Sequence, residues 1–230
     1  MKITLIAPKS ISEGEFRFDY GYWNFYLPLL SMGHDVHFFD TTKLGNKDLK
    51  IHIKNFKPEL LFCIMTGSPH YCPDEPWETI REETVKGDIK TFNWFCDDSW
   101  RFDDFSAKVC HSFHYCSTPE KEFIKKYQQI GYNNIQYATW HANSELYSTL
   151  ESESPQRALS FVGALRGDRK DALRLLSSKR QQVYTPKDTS FEGMLWTYST
   201  SFATLNFSKN SRNTGTQMKA RMFEVPATGS

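Results

Sequence analysis

Near the end of the chain, in TGTQMKARMFEVPATG, Gln217, Arg221 and Glu224 fall at i, i+4 and i+7, and Met218, Met222 and Val225 repeat the pattern one position later. On a helix this spacing lays a polar stripe beside an apolar one. Thr214 and Gln217 have capping-box spacing, so the helix is expected to start close to Gly215, to be distorted by Pro226 in its last turn and to stop at Gly229. A Gly-Thr-rich loop at the helix start, with Lys219 and Arg221 beside it, offers an anion backbone N–H groups, a positive dipole end and two cations. Phosphate near the start and the Glu224 carboxylate for hydroxyls further along would suit a nucleotide. The competing reading is an amphipathic surface helix with an Arg221–Glu224 pair, and spacing alone does not choose between them.

Asp97 and Asp98 follow the strand-like IKTFNWF, at the carboxyl edge where open α/β sheets bind ligands. A carboxylate facing a cleft there can take the proton of an acceptor hydroxyl, and the alternative is a helix or loop cap. CHSFHYC holds four ligand types for zinc, Cys110, His111, His114 and Cys116, but in an extended chain His111 points away from the other three, so a buried strand is the better reading. His70 lies in a loop after a strand, and His141 and Asn143 precede a polar stretch; all three are candidates for contacts in a cleft. Tyr20, Gly21 and Tyr22 follow the first strand, where aromatic rings either stack on a sugar or base or pack a helix onto the sheet.

These residues need elements to position them. KITLIAP, HDVHFFD, ELLFCIM, IKTFNWF and NIQYAT read as strands, separated by YGYWNFYLPLLSMG, by helices near 46–55 and 75–86, and by TPEKEFIKKY, with Thr118 as N-cap and Pro119 in the first helical position. Alternating strand and helix means a parallel, doubly wound sheet. STLESESPQ reads as a linker over 148–156, which separates a domain at 1–147 from a second at 157–230. The second opens with ALSFVGALRGDRKDALRLL, a strand, a glycine turn and a helix, without a complete G-x-G-x-x-G. The helix FEGMLWTYST and the strand FATLNFS follow. The expected class is α/β with two Rossmann-like units.

The 230 residues carry 28 Lys and Arg against 27 Asp and Glu, so no general nucleic-acid surface is expected and any charged partner is met locally. No apolar run reaches the length of a bilayer span, and MKITLIAP is too short for a signal segment, which leaves a cytoplasmic address as the expectation. Five cysteines without a C-x-x-C pair suit a reducing compartment.

LNFSKNSRNTGTQMKARMFEVPATG resembles the signature of the CgeB-like (spore maturation protein type) glycosyltransferases, relatives of the group 1 glycosyltransferases. LSFVGALRGDR is similar to the opening of that family's nucleotide-sugar domain, and NWFCDDSWRF and GYWNFYLPLLSMGHDVHFFD resemble its N-terminal domain. Together the four segments cover most of the chain in the right order. The resemblance implies a GT-B architecture, two Rossmann-like domains facing across a cleft, and transfer of a sugar from a nucleoside diphosphate sugar to a glycan or other hydroxyl acceptor. By position, Glu224 would hold the donor ribose. Lys219, Arg221, Arg166 and Arg169, with Thr214, Gly215 and Gln217 at the helix start, would hold the diphosphate, and Asp97 or Asp98 would assist the acceptor. Related enzymes often carry a further glutamate eight positions before the ribose-binding one; Thr216 stands there in this chain. Neither a cofactor nor an obligatory metal is expected. The stretch from 155 to 230 is shorter than the roughly 100–150 residues usual for a domain, so the resemblance also implies a truncated second domain, open to self-association through its sheet edge. The alternative is a catalytically inactive binding or interaction module.

Overall fold

A computed structural model of the chain describes residues 1–10, 19–148, 155–165, 167–187, 189–210, 212 and 214–229. They divide into two compact units, Met1–Thr139 and Trp140–Ser230. The division comes ahead of the linker expected at 148–156, of which residues 149–154 lie outside the described residues. Tyr147 gives the physical reason: its buried ring meets Phe191 edge-on at 5.3 Å and its hydroxyl donates to Glu224 Oε1 at 3.2 Å, so this residue is core of the second unit.

The first unit follows the expected alternation. β1 (Lys2–Ala7) is followed by a π-helical turn (Tyr22–Tyr26) that runs into α1 (Leu27–Ser31), then by β2 (Asp35–Asp40), α2 (Asn46–Phe56), β3 (Leu60–Cys63), α3 (Trp77–Lys86) and β4 (Lys90–Trp94). Next come α4 (Asp98–Arg101), a second π turn (Phe102–Ser106), α5 (Ala107–Val109), a 3-10 turn (Cys110–Ser112), β5 (Tyr115–Thr118), α6 (Phe123–Gln129) and β6 (Ile135–Tyr137). All six strands are parallel in the order β2-β1-β3-β4-β5-β6, which puts a topological switch point between β1 and β3. Strand alternation sorts the core into two layers. Ile3 and Leu5 of β1 meet Phe25, Tyr26 and Leu29 on one face, while Ile6 joins Leu49 of α2, Ile80 of α3 and Tyr127 of α6 on the other.

Two local expectations change. The helix expected to be capped by Thr118 begins at Phe123, because Thr118 is the last residue of β5 and its hydroxyl accepts from Glu120 N at 3.4 Å, so 119–122 form a turn. CHSFHYC is not one extended strand: Cys110–Ser112 coil into the 3-10 turn, and only from Tyr115 is the chain paired in the sheet. Within it, His114 Nδ1 bonds the Thr91 backbone N–H at 3.1 Å, and Tyr132 donates to Cys116 Sγ at 3.2 Å.

The second unit contains α7 (Ser144–Tyr147), β7 (Arg157–Ser160), α8 (Asp168–Ser178), β8 (Val183–Tyr184), α9 (Phe191–Ser199), β9 (Ser201–Thr204) and α10 (Arg221–Ala227). Its three strands are parallel in the order β8-β7-β9. Ser190 caps α9 by accepting from Gly193 N at 3.1 Å. The terminal helix starts at Arg221, not close to Gly215. Asn210 is the cause: its side-chain oxygen accepts from Arg212 N and Thr214 N, both at 3.1 Å, and its backbone N–H donates to Gly215 O at 2.9 Å. With Lys209 bridged to Thr216 and Gln217 N donating to Ser208 O at 2.8 Å, the segment closes into a tight antiparallel loop, so Thr214 and Gln217 form no capping box. Pro226 lies inside α10 and Gly229, at φ +79°, ends it, both as expected. No helix of the described residues is long and apolar enough to cross a membrane.

Candidate functional site

In the second unit the chain leaves β7 and β9 at the same edge of the sheet. Phe161, the first residue past β7, is buried there, and Phe207, past β9, meets its ring edge-on at 5.1 Å. Two guanidinium groups gather on the same ring, that of Arg221 at 4.9 Å from its centroid and that of Arg169 at 6.0 Å. Gly163 holds φ +142°, and a Cβ there would stand 2.6 Å from Arg221 Nη2, so only glycine lets the guanidinium reach the turn. Arg221 Nη1 donates to Asn206 Oδ1 at 3.4 Å, while its buried Nε has no partner. Arg169 Nη1 donates to Ala164 O at 2.9 Å, and Lys209 Nζ lies 3.3 Å from the Asp168 carboxylate, which ties the start of α8 to the loop after β9.

Glu224, on α10, is 8% exposed. Burial pushes its carboxyl above the usual carboxylate range, opposed by the charge of Arg221 and by the hydroxyls of Tyr147 and Tyr198. The structure therefore brings Arg169, Arg221 and Glu224 together with Gly163 and Asn206. It does not bring Thr214 and Gly215 to a helix start: both are exposed in the Asn210 loop, where Gln217 is buried. Lys219 is half-buried two residues ahead of α10, and Arg166 lies outside the described residues. Asn206 and Phe161 were missed, although Asn206 directly follows the apolar run of the last strand, at the edge where ligands bind.

In the first unit the two adjacent aspartates have different surroundings. Asp97 is the residue before α4, half-buried, with its carbonyl accepting from Trp100 N and Arg101 N and with no side-chain cap bond to the helix. Asp98 is 1% exposed and accepts from the Tyr127 hydroxyl at 2.9 Å. Burial pushes its carboxyl up, and the hydroxyls of Ser106, Thr118 and Tyr127 oppose that. A carboxylate so enclosed joins α4 to α6, and of the pair Asp97 alone has an exposed part. Glu120, from the turn after β5, is 6% exposed and accepts from Ser99 N at 3.0 Å. Burial and then the charge of Asp98 push its carboxyl up to about 7. Glu120 was not singled out in the sequence, and it lies in the turn ahead of α6, which begins three residues later.

The loop after β3 is held by Glu75, whose carboxylate accepts from Thr66 N at 2.6 Å, Thr66 Oγ1 at 2.8 Å, Gly67 N at 2.9 Å and Trp77 Nε1 at 3.1 Å. Arg101 donates to Thr66 O, with its guanidinium 4.3 Å over the Phe105 ring. His70 is exposed in this loop. Tyr20 stacks on Trp94 at 5.9 Å, Tyr22 lies 6.0 Å from Phe38, and Gly21 faces Ile64 and Ala7 so closely that a Cβ would be 3.2 Å from Ile64 Cδ1. These are contacts of a helix start packed on the sheet. His141 and Asn143 are half-buried in the second unit, where Asn143 precedes α7. Among the described residues no group of three or more His, Cys, Asp or Glu is arranged to hold a metal ion. Neither a protein-family model nor a curated protein matches the chain.

Proposed function

We propose that the chain is a glycosyltransferase of the GT-B kind that its sequence resembles, and that it holds a nucleoside diphosphate sugar at the carboxyl edge of the second sheet. The observation that carries this reading is the approach of Arg221 to Gly163 over Phe161, because it joins two of the segments in which the resemblance lies. As the sugar leaves, negative charge grows on the diphosphate. Planar guanidinium groups bind phosphate oxygens in pairs, and Arg221 and Arg169 bring two of them to the Phe161 ring; Lys219 adds a cation two residues ahead of α10. Glu224 takes the ribose by exchanging the Tyr147 hydroxyl for a sugar hydroxyl, one O–H donor for another. Asp97, the more accessible of the aspartates, is assigned the acceptor proton.

Thermal unfolding of the full chain against UDP-, GDP-, ADP- and dTDP-sugars tests the donor site. One nucleotide family should raise Tm, since a ligand at a hundredfold excess over Kd adds about 2.7 kcal/mol, and Arg221→Met should abolish the rise. No rise with any of the four overturns the reading. A second reading, a sugar-nucleotide-binding module without catalysis, is favoured by the enclosure of Asp98 and the engagement of Glu224. Binding without release of nucleoside diphosphate in the presence of acceptors would select it.

A further inference from the structure

A groove on the flank of α8 plays no part in that reading. It encloses about 940 Å³ between the helix and the β7–β8 pair, within the roughly 300–1,000 Å³ of small-molecule sites. Its floor is aliphatic, from Leu159 of β7, Val183 of β8 and Leu173 of α8. Among the described residues lining it, four carry charge and all four are cations: Arg157, Lys170, Arg174 and Arg180. Lys170, Leu173, Arg174 and Ser177 recur at i, i+3, i+4 and i+7, so one flank of α8 sets two exposed cations beside the half-buried Leu173 along the groove. The helix accordingly fully buries none of its residues.

Arg157 is fixed in place. Its guanidinium lies 4.3 Å over Tyr184 and 4.1 Å over Trp196, and Nη1 donates to Thr200 Oγ1 at 2.6 Å. One such bond leaves most of the five N–H donors of a guanidinium for other acceptors. Arg174 pairs with Asp171 at 3.3 Å, but both side chains are mostly exposed, so that pair exchanges readily for another anion. A neutral apolar occupant would leave the cations along the groove without a counter-charge from the ligand, and an inorganic anion would leave the aliphatic floor wet.

We propose that this groove binds a free single-chain anionic amphiphile, an alkyl chain ended by a carboxylate or phosphate, with the chain on Leu159, Leu173 and Val183 and the head among the cations. The test is calorimetric titration of the full chain with laurate below its micelle-forming concentration, beside dodecyltrimethylammonium and inorganic phosphate. Laurate should fill one saturable site and neither control should bind. Lys170→Glu with Arg174→Glu should weaken laurate by about fivefold for each charge. Leu173→Trp, which changes no charge and fills the floor, should abolish binding while Tm holds, so the outcome does not depend on the charge-reversed variant folding. Absence of laurate binding, equal binding of the cationic amphiphile or of phosphate, or undiminished binding in Leu173→Trp would overturn the proposal.

Discussion

Replacing Glu120 by glutamine should stabilise the first unit at alkaline pH and do nothing at acid pH. The change removes a charge from beside Asp98 and keeps the shape of the side chain and an oxygen for Ser99 N. Burial and the charge of Asp98 push the folded carboxyl up to about 7 from the ordinary 4.5. A raised acid favours the folded state while it is protonated, so its contribution is complete below pH 4.5 and is lost as pH rises through about 7. Taken whole, that displacement is roughly 3 kcal/mol at pH 8. Relaxation of the site around the ionised carboxylate lowers the expectation to about 1–2 kcal/mol.

Urea unfolding of wild type and Glu120→Gln at pH 4.5, 6 and 8, followed by far-UV circular dichroism, reads this directly. With slopes of about 1–3 kcal/mol per molar urea, the variant's midpoint should rise by roughly 0.5–1 M at pH 8. At pH 4.5 the two curves should coincide. A gain of the same size at every pH would show that the amide stabilises by packing or hydrogen bonding and that the carboxylate's charge is not the cause. A loss at pH 8 would show that the ionised carboxylate is favoured where it stands, and the reasoning from burial would be refuted.

Gly67→Ala should cost about 3 kcal/mol or more, read as a lower Tm, because the position holds φ +58° and its Cβ would enter the Phe105 ring. His52 is pushed down to about 4 by burial and then by the neighbouring His37, so the folded state favours the neutral ring. Its contribution, about 1 kcal/mol for a partly exposed ring, is present above pH 6.5 and lost as pH falls toward 4; His52→Gln should flatten the wild-type slope of stability over that window.

The alternation of strands and helices was legible because each element declares itself within a few residues: residues 3–7 are apolar but for Thr4, the short continuous run of a strand buried on both faces, and no distant contact is needed to reveal it. The starts of two helices were not. Thr214 with Gln217 satisfies the spacing rule for a cap, but Asn210, four residues upstream, takes the Thr214 N–H first and turns the chain back on itself. Asp97 and Asp98 were indistinguishable in sequence, since the strand end that places both does not say which one turns toward Tyr127. Arg169, Arg221 and Glu224 were named from spacing and resemblance, whereas the meeting of Arg221 with Gly163 depends on β7 and β9 being neighbours, a pairing across more than forty residues.

The two sheets tie the loops of their carboxyl edges largely with different groups, and this bears on what each can bind. In the first unit the loops are tied by carboxylates: Asp40 accepts from Lys9 N and Thr42 N, Glu75 from Thr66 and Gly67, Asp98 from Tyr127 and Glu120 from Ser99. Each accepts from a neutral N–H or O–H donor, and burial pushes the carboxyls of Glu75, Asp98 and Glu120 up. In the second unit the same edge is tied by Arg169, Arg221 and Lys209, with Glu224 the enclosed acid among them. On the proposed function, the guanidinium groups gathered on Phe161 are what a phosphate would meet in the second unit, and Asp97, the less buried of the two aspartates, is what an acceptor hydroxyl would meet in the first. On the same proposal, Arg221→Glu, which reverses the charge held over Phe161, should remove affinity for a nucleoside diphosphate, read as loss of the Tm rise with every nucleotide family.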